Sequence, residues 1–190
     1  METIKFTLTG TSKMLMHSDR FANPLDEATK AHKELTSKRK KTDEDHGAIA
    51  KSEFIGACYW SKETGFYLPG QNIEASFLAG AKLQKLGVKF KQGCMVLEDN
   101  VPLAGVKAKT PEMLWKDKTH IDCRGVKVGT AKIMRYRPRF EQWSASGSLS
   151  FNPDVLSRGE VKKAMVDAGA LIGIGDFRPR FGRYTVRFST

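Results

Sequence analysis

Nine residues, Trp143 to Phe151, alternate without a break: Trp143, Ala145, Gly147, Leu149 and Phe151 interleave with Ser144, Ser146, Ser148 and Ser150. This two-residue period is that of a strand with one face buried and one face open. The next segment narrows the fold further. Ser157-Arg158-Gly159-Glu160 has the hydroxyl-to-carboxylate spacing of a capping box and opens a helix running to Leu171. Val161, Ala164, Met165, Ala168 and Ile172 mark its buried side. A glycine-rich connection, Gly173 to Arg183, then leads to a closing strand with Tyr184, Val186 and Phe188 pointing inward. A strand, a helix and a strand in that order form one sheet with the helix laid across a face.

The remainder of the chain supplies partners for this unit. Ile4, Phe6 and Leu8 alternate with Lys5, Thr7 and Thr9 in a strand ending at Gly10, followed by the apolar run Met14-Leu15-Met16 and His17, read as packed. Asn23-Pro24 has the form of an N-cap with proline at the first helical position, predicting a helix from Pro24 to Lys38. Thr42-Asp43-Glu44-Asp45 predicts a second capped helix toward Ala57. Cys58 to Leu68, with Thr64-Gly65 inside it, reads as a hairpin. Pro69-Gly70 then opens a helix to about Leu86, with Ile73, Phe77, Gly80 and Ala81 on one face and Gly87 as its stop. Val88 to Gly125 is irregular apart from a helical turn at Pro111 to Trp115, and Val126 to Arg137 reads as one strand.

With residues 18–66 and 88–125 taken as insertions on a single domain spanning 1–190, the order is strand, helix, strand, strand, helix, strand. That is an α+β chain on the ferredoxin-like βαββαβ plan, an antiparallel sheet with one face under two helices. The open face would carry Lys5, Thr7, Thr9, the four serines of 144–150, Thr185 and Arg187. No aromatic is among them, so stacking of bases on the sheet itself, as single-strand RNA readers do, is not expected.

Charge indicates the kind of partner. Lys and Arg number 32 against 21 Asp and Glu, a net charge of +11, which favours a polyanion. No apolar run reaches bilayer length, and Met1 to Gly10 lacks the layout of a secretory signal, so a cytoplasmic protein with no membrane partner is expected. Cys58, Cys94 and Cys123 are odd in number and without a CxxC pair, which argues for reduced thiols over a disulfide framework or a zinc site. Neither a metal nor a cofactor is expected.

The cations are clustered. Gly173, Gly175 and Gly182 share one loop with Phe177, Arg178, Arg180 and Arg183, combining backbone freedom for an anion-binding nest with planar guanidinium forks suited to phosphate. From Arg124 to Phe140 there are Arg124, Lys127, Lys132, Arg135, Arg137 and Arg139 without an intervening acid. Arginines alternating with rings at the tip of a hairpin over 134–144 would hold phosphates and stack on bases. Lys38, Arg39 and Lys40 are expected to form an outer clamp, with Arg20 as a further nucleic-acid contact. The plain alternative for both loops is a turn with solvated arginines.

Together, the element order, the glycine loop Gly173 to Gly182, the Leu68-Pro69-Gly70 helix entry and the loop from Phe6 to Asp19 resemble the RAMP superfamily, the repeat-associated mysterious proteins of CRISPR ribonucleoproteins. Within it the chain is similar to the backbone subunits that polymerise along a guide RNA, or to a stand-alone, phage-encoded relative. The resemblance implies that the glycine loop, the loop after the first strand and a thumb hairpin line a path for single-stranded RNA or DNA. It also implies a homo-oligomer or filament on that strand, with other CRISPR-type subunits as further partners. Some members cut RNA with an aspartate after the first strand and a divalent metal, which makes Asp19 the positional candidate and Asp26 the runner-up. The expectation is nevertheless a non-catalytic binder, with a metal-dependent endoribonuclease and a protein-interaction module mimicking a backbone subunit as alternatives.

Overall fold

A computed structural model describes residues 1–189. The elements in order are β1 (Glu2–Gly10), β2 (Met14–Leu15), α1 (Glu27–Ser37), α2 (Asp43–Gly56), β3 (Trp60–Ser61), β4 (Gly65–Pro69), α3 (Gly70–Leu83) and α4 (Gly87–Gly93). They continue with β5 (Cys94–Val96), β6 (Asn100–Ala104), α5 (Pro111–Lys116), β7 (Ile121–Val128), β8 (Ala131–Phe140), β9 (Ser144–Phe151), α6 (Arg158–Asp167) and β10 (Tyr184–Ser189). The chain is mixed α+β, and its strands pair antiparallel in two sheets. The larger sheet runs β10-β1-β9-β6-β4-β3 with β5 also on β9, and the smaller runs β2-β8-β7.

The alternation in β1, β9 and β10 sorts most of their side chains as the sequence predicts, but Ser150, expected on the open face, is buried where β5 pairs with the end of β9. Ile4, Phe6, Leu8, Ala145, Leu149 and Phe151 are buried, whereas Lys5, Thr9, Ser146, Thr185 and Arg187 lie toward solvent. Helices α3 and α6 cover the apolar face. Phe77 of α3 meets Phe6 edge-on at 5.4 Å between ring centroids, and burial of each such ring contributes about 2–3 kcal/mol. The Ser157–Glu160 capping box is present at the start of α6. Gly80 sits where α3 crosses α6. A Cβ there would overlap the Ala164 carbonyl oxygen and stand 2.8 Å from Ala168 N, so it lets α3 approach α6 rather than the sheet.

Several expectations need correction. The helix predicted from Pro24 starts at Glu27, capped by the Asp26 carboxylate, which accepts from Ala28 N–H at 2.8 Å. Asn23 instead closes a 3-10 turn over Arg20–Ala22 and accepts from Leu25 N–H. The 18–66 segment is not merely superficial. Helix α2 keeps the predicted Thr42 capping box but buries Ala50, Glu53 and Phe54, with the Phe54 ring 5.2 Å from that of Trp115. The α3 stop lies at Gln84–Lys85, where Lys85 takes φ 60°, and Gly87 begins α4.

The largest revision concerns the middle of the chain. Val126 to Arg137 is not one strand. It folds back at Gly129, φ 60°, so that β7 and β8 form a hairpin from Ile121↔Pro138 to Val128↔Ala131. Consequently Arg135, Arg137 and Arg139 lie toward the base of that hairpin rather than at the tip of a thumb over 134–144. β1 flanks β9 on one side, and the strands on its other side come from the supposedly irregular 88–125: β5 pairs Cys94↔Phe151 and β6 pairs Leu103↔Ala145. Val101 and Leu103 alternate inward there, a pattern masked in the sequence by its brevity and by Pro102, which has no donor for a ladder.

Candidate functional site

The glycine loop lies against the loop that follows β1. Gly182 N–H donates to Lys13 O at 2.8 Å, Asp176 N–H to Leu15 O at 2.9 Å, and Thr11 N–H to Arg183 O at 2.8 Å. Gly173, Gly175 and Gly182 all have φ between 75° and 85°. A Cβ on Gly175 would overlap the Leu15 carbonyl oxygen, so the glycine lets two backbones touch. Internal hydrogen bonds take up most of the N–H groups that an anion nest in this loop would need. The N–H groups of Gly173, Ile174, Asp176, Phe177, Phe181, Gly182 and Arg183 already donate to groups within the protein.

Where these loops meet the base of β8, a charged cluster forms. Glu53, 5% exposed on α2, accepts from Arg135 Nη1 at 2.9 Å, Arg137 Nη1 at 3.2 Å and Tyr136 N–H at 3.2 Å. Arg137, itself buried, also donates through Nε to Asp176 Oδ2 at 3.2 Å. Its Nη2 lies 3.2 Å from His17 Nε2. A guanidinium only donates, so Nε2 must accept, leaving the imidazole proton on Nδ1, 3.6 Å from Asp176 Oδ2. Arg124 forms a two-point pair with Asp122, and its guanidinium lies 4.7 Å from the ring centroids of both Phe177 and Phe181. Three guanidinium groups thus meet three carboxylates, and the cluster is close to neutral.

Two clefts open on either side of His17 and Asp176. The first, about 600 Å³, lies between the β7–β8 face and the α1–α2 segment, and is lined by Asp19, Phe21, His32, Glu53, Val126, Val128, Arg135, Arg137 and Phe177. The second, about 280 Å³, is lined by Tyr59, Asn72, Gly175 and Arg178. Tyr59 donates its hydroxyl to His17 O at 2.7 Å and accepts from Asn72 Nδ2 at 3.0 Å, which fixes the loop after β1 from below.

The residues singled out in the sequence are therefore divided. Arg135, Arg137, Phe177, Gly175 and Arg178 reach the clefts, but Arg135 and Arg137 are engaged by carboxylates and are not free for phosphate. Gly173 and Gly182 shape the loop. Arg178 and Arg180 are exposed, and Arg183 is exposed with its Nε on Pro179 O at 2.9 Å. Arg139 holds Thr119 O and Glu141, Arg20 pairs with Asp26, and Lys38 pairs with Asp45 at 2.6 Å. Arg39, Lys40 and Lys132 are exposed. Asp19 lines the first cleft and makes no side-chain hydrogen bond or ion pair among the described residues. No group of three His, Cys, Asp or Glu side chains converges there or elsewhere among those residues. Cys58 and Cys94 are buried and Cys123 is exposed, all as free thiols.

His17 also departs from its expected packed state: its side chain is 53% exposed and belongs to the cluster. Sequence patterning does not single out Glu53 or Asp176 as its companions, although an acid between Ser52 and Phe54 on a buried helix face is the kind of residue that requires a partner. No protein-family model matches the chain, and no curated protein matches it in sequence.

Burial first, and then the Arg137 charge, hold the His17 pKa below its ordinary 6.5, with Asp176 opposing them. His32, hydrogen-bonded to Ser52 and stacked on Phe21, is lowered chiefly by burial. Above that ordinary value both folded and unfolded chains carry neutral imidazole, and this part of the stability is fully present. As pH falls through 6.5 and on through the lower folded-state value, the unfolded chain takes up protons first and stability declines. The urea midpoint is expected to be lower at about pH 5 than at about pH 7.5, and to fall less in His17→Gln. Equal declines in the two proteins would remove His17 from this account.

Proposed function

We propose that the chain is a non-catalytic single-stranded nucleic-acid-binding protein, built on a RAMP-like, ferredoxin-like core and assembling side by side along its strand. The sheet order supports the core assignment. β10-β1-β9 followed by β5 and β6, with α3 and α6 as the crossing helices, is the arrangement a split βαβ pair produces. The observation that carries the functional reading is the clasp between the glycine loop and the loop after β1. It carries exposed Arg178, which lines the second cleft, with exposed Arg180 and Arg183 on the same loop, on a chain of net charge +11. These three arginines, rather than Arg135 and Arg137, are the phosphate contacts, with Lys132, Arg39 and Lys40 extending the positive surface.

Anisotropy titration of a labelled single strand against salt tests this. Each phosphate neutralised on a single strand contributes about 0.7 to the slope of log affinity on log salt. Replacing Arg178, Arg180 and Arg183 by Ala is expected to reduce that slope by about 2 and to weaken RNA or DNA binding at every sequence alike. Affinity indifferent to salt would overturn the reading. Light scattering is expected to show mass growing with strand length if copies assemble along it.

A second reading has one observation in its favour: Asp19 lines the first cleft without a partner among the described residues, where it could place magnesium on a substrate phosphate. RNA cut by the natural chain with magnesium, and left intact by Asp19→Ala, would establish it.

A further inference from the structure

The first cleft is poorly suited to phosphate. Its two arginines are matched by Glu53 and Asp176, and Asp19 adds repulsion. Its walls have another character. Val126 and Val128 project from the hairpin on one side, with Phe21 and Phe177 also lining it. Phe177 is unusual in its backbone. It takes φ 57°, a region that penalises any residue with a Cβ, in a loop that supplies glycine at three other left-handed positions. Glycine would serve that turn without strain, so the ring is what the position gains. Arg124 packs against it and leaves it 36% exposed.

We propose that this cleft holds one splayed-out base of the bound strand, stacked on Phe177 and flanked by Val126 and Val128. The inference rests on the strand-binding reading and gives that site its ligand group: a neutral planar heterocycle, with the phosphates left to Arg178, Arg180 and Arg183. A cleft of about 600 Å³ has room for a nucleotide unit. Asp19 and Arg135 line the same cleft, and the Asp19 carboxylate and the Arg135 N–H groups not taken by Glu53 offer an acceptor and donors to the base edge. A base lying on the ring extends a stack begun by Arg124, a cation and a heterocycle sharing one aromatic platform.

The test compares two strands of equal length and equal phosphate count, one carrying bases and one abasic, each titrated into the full-length chain at fixed salt. The natural chain is expected to prefer the base-bearing strand by about tenfold. Phe177→Ala is expected to bind both at the abasic level, with Phe177→Tyr retaining the preference. Val128→Asn, a neutral change at a half-exposed position, is expected to reduce the preference for the base-bearing strand. Equal binding of both strands by the natural chain, or a preference that survives Phe177→Ala, overturns the base site and leaves strand binding standing. Binding of neither strand overturns the strand-binding reading itself, and this inference with it.

Discussion

Glu53→Ala is expected to lower stability by about 3–5 kcal/mol, the range for removing one partner of a buried ion pair. Glu53 is 5% exposed and its carboxylate accepts from two guanidinium groups and a backbone N–H, so truncation leaves Arg137, whose side chain is only 9% exposed, with Asp176 as its one remaining carboxylate and leaves Tyr136 N–H without its acceptor. The loss should appear as a lower urea midpoint at unchanged slope. Arg137→Met is expected to be costly too, because it leaves Glu53 buried with Arg135 alone. The double replacement Glu53→Leu with Arg137→Met should recover much of the sum, since the main expense of each single change is the charge left behind. A loss below about 1 kcal/mol for Glu53→Ala would mean that water reaches the pair and that it behaves as a surface salt bridge.

The network also explains which parts of the site are legible in the sequence. Local patterns suffice where one residue's environment depends on its near neighbours. The Ser157 and Thr42 capping boxes, the inward set of β9, and Ile73, Phe77 and Ala81 on α3 are of this kind. They fail where the deciding contact is distant in sequence. Arg137 reads as a free cation among Arg135 and Arg139, and only folding sets it between Glu53 and Asp176. Likewise the glycines at 173, 175 and 182 signal a close approach, and one occurs. What approaches is the protein's own backbone at Lys13 and Leu15. The strand at Val101–Leu103 escapes a reading of the sequence because alternation over so few residues, interrupted by Pro102, carries little signal until β9 and β4 lie on either side of it.

Gly182→Ala is expected to be as damaging as any single methyl added to this chain. At φ 75°, Gly182 donates its N–H to Lys13 O and accepts from Ile174 N–H at 2.9 Å, so it closes the glycine loop on itself and ties it to the loop after β1. A Cβ would overlap the Ile174 carbonyl oxygen and stand 2.8 and 2.9 Å from Ile174 C and N. All three are backbone atoms, so no side-chain rotation relieves them. Opening the clasp would release Asp176 from Arg137 and separate both cleft walls. The loss is expected to be about 4 kcal/mol or more, in the class reserved for named structural faults, and roughly 8–16 °C in melting temperature for a domain of this size. Gly129→Ala separates the two components of that penalty. It has φ 60° with open space around it, so it retains the backbone strain without the clash and should cost about 1–2 kcal/mol. If both variants melt together, the left-handed torsion alone accounts for the loss and the clasp contributes nothing. If Gly182→Ala falls well below Gly129→Ala and also loses strand binding, the contact between these two loops is what holds the binding surface in place.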